Sequence, residues 1–79
     1  MIRKLFTESE LIAFLNAEIF KFDECKNCKF TSITRLDEED ADGCNWSSAN
    51  LRCSGQPATV CASSADKVVS LARGKFNVI

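Results

Sequence analysis

The sequence contains no histidine, and that absence removes more chemistry than any other feature of it. No Ser-His-Asp or Cys-His set can be assembled for nucleophilic catalysis. Any metal would have to be held by cysteine and carboxylate alone. Glycine is scarce, with three residues, and no glycine-rich phosphate loop is present. Charge of one sign is lacking too: 10 Lys and Arg against 11 Asp and Glu leave a net −1. No long basic face is available to release counterions from phosphates, so nucleic acid is disfavoured as a partner. No apolar run approaches the roughly 20 residues of a membrane span, and no membrane association is expected. The first residues are basic, but Glu8 and Glu10 interrupt the apolar stretch that a signal peptide requires. A cytoplasmic location is the expectation.

What is present is a 79-residue chain with 46% hydrophobic residues and five cysteines. That length suits one domain, residues 1–79, with a thin core. Small domains of this kind add a metal, a disulfide or a partner subunit. In a reducing cytoplasm the cysteines read as metal ligands, catalytic thiols or plain buried side chains rather than as a disulfide scaffold.

Thr7-Glu8-Ser9-Glu10 is a capping box, with Phe6 and Leu11 placed for a hydrophobic staple. The following helix runs through about Phe20, with Leu11, Leu15, Ile19 and Phe22 on one stripe, widened by Ile12 and Phe14. Residues 21–29 form a polar connection. Residues 30–36 read as a strand with imperfect alternation: Phe30 and Leu36 share one parity and Ile33 has the other. Both faces are therefore expected to be partly covered. An acidic loop follows over 37–48, with Asp42-Gly43 as its turn signal, then a return strand over 49–53. Pro57 opens a second helix, with Cys61, Ala65, Val68, Ala72 and Phe76 on one stripe and Gly74 as its C′ residue. Ser63 and Asp66 offer a rival start. The apolar tail from Phe76 is expected to pack back on the core. The fold class is α+β: a two-layer αββα arrangement, an antiparallel hairpin packed against two helices.

Cys25-Lys26-Asn27-Cys28 is the sharpest chemical signal, because a two-residue spacer lets two sulfurs face one point. A zinc centre would recruit Cys44 from the loop and Cys61, ahead of Cys53, from the second helix, and zinc would then couple to folding. Free thiols and disulfides remain open beside it. Redox catalysis of the thioredoxin type is disfavoured, since this CxxC follows a helix and precedes a strand. Glu38, Asp40, Asp42 and Gly43 fall at EF-hand positions, but Ala49 stands where the bidentate Glu is needed. Asn45-Trp46-Ser47 is a glycosylation sequon without a secretory route. Trp46 reads either as a cap on the core or as an exposed anchor beside Asp40 and Asp42.

The CxxC, residues 33–36, the run Asp42-Gly43-Cys44-Asn45-Trp46-Ser47, then Ser54-Gly55, Ala72-Arg73 and Phe76-Asn77 together resemble a group of small proteobacterial proteins, some in prophage regions. The resemblance implies a bacterial, cytoplasmic, phage-associated protein. It transfers no site, fold or activity. The functional expectation is a non-enzymatic protein-interaction module using Trp46, Asp40 and Asp42 toward a protein partner or a second copy. The alternative is a zinc-stabilised or thiol redox-responsive protein built on Cys25 and Cys28 with Cys44.

Overall fold

The computed structural model describes residues 3–79. Its elements in order are β1 (Lys4–Phe6), α1 (Glu8–Ile19), a 3-10 turn (Asp23–Cys25), β2 (Cys28–Arg35), β3 (Trp46–Cys53), α2 (Thr59–Arg73) and β4 (Phe76–Val78). The α+β class holds, with an antiparallel β2–β3 hairpin beside two helices.

The capping box starts α1 as its sequence dictates. Glu10 N–H donates to the Thr7 hydroxyl at 3.2 Å, and Glu10 Oε1 accepts from Thr7 N–H at 2.9 Å. Leu11, Leu15 and Ile19 are buried on one face of α1. Phe22 lies beyond the helix, as the extended residue that enters the 3-10 turn. The second helix begins at Thr59, not Pro57, although Val60 N–H already donates to the Pro57 carbonyl. Ser63 therefore lies inside α2 rather than capping it. Gly74 ends α2 with φ −78° and ψ −12°. The left-handed C′ conformation expected there is absent, and the chain leaves through a tight turn in which Lys75 N–H reaches Ala72 O.

The hairpin is longer than the sequence pattern suggests, and it carries two register shifts. One bulge falls at Thr31 on β2 and one at Ser47 on β3. A bulge adds a residue to one strand only, so one on each strand cancels, and Cys28 ends opposite Cys53. The Thr31 bulge also explains the broken alternation. It resets the parity, so Phe30 and Ile33 both pack on the core side, together with Ala49 and Leu51. One face is covered, not both. The opposite face is polar, with Asn50 donating to Ser32 Oγ at 2.7 Å.

A parallel pair of short strands, β1 and β4, was not legible in the sequence. Lys4, Leu5 and Phe6 stand beside Phe76, Asn77 and Val78. Phe6 thus packs in an aromatic cluster, 4.7 Å from Phe76 and 6.2 Å from Phe14 between ring centroids. Phe76 belongs to β4, and the tail packs on the core as expected through buried Asn77 and Val78.

Two amide side chains pin strands by imitating a neighbouring strand. Asn16 of α1 bonds both the N–H and the C=O of Phe30. Asn45 does the same to Val78. Each closes the edge of a short strand that a two-stranded ribbon would leave open.

Candidate functional site

Five cysteines meet in two bridges and one thiol. Cys25 is bonded to Cys61 and Cys28 to Cys53, while Cys44 is free and buried. The expected zinc set of Cys25, Cys28, Cys44 and Cys61 is not brought to one point. Cys25 and Cys28 diverge because the first ends the 3-10 turn and faces α2, whereas the second begins β2 and faces β3. Cys53, ranked behind Cys61 for such a set, is the partner of Cys28. Among the described residues no cluster of three or more cysteine or carboxylate groups is placed to share a metal ion. The bridges span sequence separations of 36 and 25 residues. In the chain-entropy account each stabilises by about 3–4 kcal/mol, which is substantial for so short a chain.

The loop residues divide by orientation. Trp46 is fully buried, and its indole N–H donates to the Phe76 carbonyl at 3.0 Å. It is a core residue and offers no exposed anchor, which corrects the interaction role considered for it. Asp40 turns inward. Its Oδ1 accepts from the N–H groups of Asp42 and Cys44 at 2.9 and 3.0 Å, and its Oδ2 pairs with Arg73. The Cys44 N–H bond chiefly holds its carboxyl below the ordinary value; burial opposes, and the Asp42 N–H, Arg73 and Arg3 add to the lowering. Asp42 alone of the three is exposed. Gly43 takes φ +83°, the left-handed turn that Asp42-Gly43 signals. The Cys44 thiol donates to Trp46 O at 3.2 Å and lines a polar cleft of about 490 Å³ with Arg3, Asp40 and Arg73. Arg3, Asp40, Arg73 and Asn77 hold the loop against α2 and β4.

A different surface carries the features of a binding site. A trough of about 290 Å³ runs between the hairpin and α2, lined on one side by Phe30, Ala49 and Leu51 and on the other by Ala58, Ala62 and Val69. Small side chains on α2 keep its wall low. Beside the trough runs β3, whose outer edge has no backbone partner among the described residues. Its central run, Ser47 to Leu51, carries neither a charge nor a proline, the devices that protect edge strands. Sequence reasoning missed this surface because alanine at helical spacing reads as core. The run Ala58, Ala62, Ala65, Val69 at steps of three and four was its only signal.

A depression of about 290 Å³ at the open end of the hairpin is lined by the Cys28–Cys53 bridge together with Lys26, Lys29 and Arg52. Cys25 and Cys61 are each 0% exposed, whereas Cys28 is 9% exposed and Cys53 more so. The two bridges thus differ in their access to solvent. No helix among the described residues is long and apolar enough to cross a membrane. Comparison with protein families, with curated proteins and with solved structures returns no match for the chain.

Proposed function

We propose that the protein is a non-enzymatic interaction module that adds an extended strand to the outer edge of β3, and that the strand it takes is β3 of a second copy. The observation that carries this reading is the edge of β3, unpaired among the described residues and uncharged from Ser47 to Leu51, beside an apolar trough. A two-stranded ribbon is marginal, and edge addition supplies backbone bonds while pockets receive alternate side chains. β3 suits its own copy. Antiparallel pairing about Ala49 sets Ser48 opposite Asn50 and Ser47 opposite Leu51. The sole charge, Arg52, then faces Trp46 of the other chain, so no like charges meet. The lack of histidine supports the non-enzymatic part.

The two bridges weigh against the cytoplasmic placement expected from the sequence, because disulfides persist in oxidising compartments. A bacterial, phage-associated setting rests on the sequence resemblance. A thiol-responsive role is the second reading, favoured by the exposure of the Cys28–Cys53 bridge.

The test is sedimentation of the wild type and of two variants of exposed β3 residues. Ser48→Lys with Asn50→Lys sets lysines opposite one another across the two-fold, at about 0.2–1 kcal/mol per facing pair. It is expected to give monomers at concentrations where the wild type dimerises. Mixing it with Ser48→Glu/Asn50→Glu is expected to restore a heterodimer. A wild type that stays monomeric at millimolar concentration would overturn self-association and leave a foreign strand as the occupant.

A further inference from the structure

We propose that the Cys28–Cys53 bridge is a site of thiol–disulfide exchange with small anionic thiols, that Cys53 is the sulfur attacked, and that Cys28 is the leaving and resolving thiol. Three independent features of the hairpin's open end carry this.

Access is the first. The Cys25–Cys61 bridge is sealed, whereas the Cys28–Cys53 bridge lines an open depression and Cys53 is its more exposed residue. Exchange needs an in-line approach to a sulfur, so the sealed bridge is out of reach of a solute while the protein is folded.

Charge is the second. Lys29 and Arg52 stand directly opposite each other across the hairpin, an arrangement that repels. Neither has an acidic partner among the described residues. Lys26 is engaged differently, 3.7 Å from Asp23 and over the Phe20 ring. A carboxylate-bearing thiol seated between Lys29 and Arg52 would offset their repulsion and bring its sulfur to the bridge. The natural ligand class is therefore a small anionic thiol rather than a neutral or cationic one.

Direction is the third. Gln56 Nε2 donates to Cys28 Sγ at 3.3 Å, and the same amide donates to the Glu24 carbonyl at 2.7 Å, which holds it in place. A donor on one sulfur stabilises the thiolate that develops there, and the better-stabilised thiolate is the better leaving group.

The reaction balances without any further oxidant. The incoming thiolate attacks Cys53 Sγ, the Cys28–Cys53 bond breaks, and its electron pair departs on Cys28 as a thiolate. The product is a mixed disulfide at Cys53 and a free Cys28. One disulfide is consumed and one is formed. Cys28 reverses the step by attacking Cys53 Sγ and expelling the small thiol. A second small thiol attacking the outer sulfur instead yields free Cys53 and a small-molecule disulfide, a two-electron reduction of the protein.

The experiment treats the folded, oxidised protein with reduced glutathione, quenches with acid, alkylates free thiols and maps the peptides by mass. The expected early product carries glutathione on Cys53 and the alkyl label on Cys28, with Cys25–Cys61 intact. At matched thiolate concentration, glutathione is expected to react about three- to fivefold faster than uncharged mercaptoethanol, and cationic cysteamine slower still, with the spread shrinking at high salt. Arg52→Glu, at an exposed position, is expected to bring the three rates together, since the new carboxylate offsets Lys29. Gln56→Ala is expected to slow exchange and let adducts appear on Cys28. In the wild type, opening of both bridges together, glutathione on Cys28, or equal rates for the three thiols would each overturn the proposal. So would a bridge that resists glutathione until denaturant is added.

Discussion

Asn16 and Phe30 are joined by a two-way amide bond between helix and strand: the Asn16 Oδ1 accepts from Phe30 N–H at 2.6 Å and its Nδ2 donates to Phe30 C=O at 3.1 Å. This occupies the outer edge of β2 where α1 crosses it. Among the described residues no amide side chain bonds both backbone groups of a residue on the hairpin's other edge, on β3.

Replacing Asn16 by Ala leaves a part-buried N–H and C=O without partners. A loss of about 1–3 kcal/mol is expected, read as a lower urea midpoint with an unchanged slope. Asn16→Asp keeps the acceptor but loses the donor, and should fall between the two. A midpoint identical to the wild type for the alanine variant would show that water replaces both bonds at no cost.

Trp46→Ala removes the largest fully buried side chain and takes the indole donor from the Phe76 carbonyl. A loss of about 3–5 kcal/mol is expected, enough to unfold much of so small a protein at 25 °C. Trp46→Phe keeps most of the apolar area and loses the indole bond, so it should stay folded with a reduced midpoint. A well-folded, cooperative alanine variant would contradict the core assignment.

Stability should fall with acid in a way that depends on Asp40. Its folded-state carboxyl titrates below the ordinary value of 3.8, chiefly because the Cys44 N–H donates to the charged form. The unfolded chain therefore takes up the proton first. The contribution is complete at neutral pH and is lost as pH falls below about 5 and on through the folded value. Glu24, lowered mainly by its bond from Ser64, acts in the same direction. Urea midpoints between pH 7 and pH 2.5 should decline more steeply for the wild type than for Asp40→Asn, with Glu24 sustaining part of the decline in both. Parallel curves would show that Asp40 is not linked to folding.

What the sequence alone determined is local. The Thr7–Glu10 box, the Leu11–Leu15–Ile19 face and the Asp42-Gly43 turn depend on residues within a few positions of one another. Their chemistry acts before any tertiary contact forms, and each stands where the pattern places it. The α+β class followed from the order of those elements. Strand limits were less legible, because the bulges at Thr31 and Ser47 shift the parity that a strict alternation relies on. The pairing of the cysteines was decided only by the tertiary structure. Two cancelling bulges set Cys28 opposite Cys53, and the packing of α2 on the 3-10 turn sets Cys61 against Cys25. No spacing rule encodes either, since each joins residues 25 or more positions apart. Trp46 belongs with them: a lone tryptophan beside an acidic loop favours a core cap from its area alone, but nothing local excludes a surface anchor. Its place inside was settled when β4 arrived from the far end of the chain, bringing the Phe76 carbonyl to its indole N–H. β1 and β4, three residues each, carry too short a pattern to read. They exist as strands because the folded core holds them side by side.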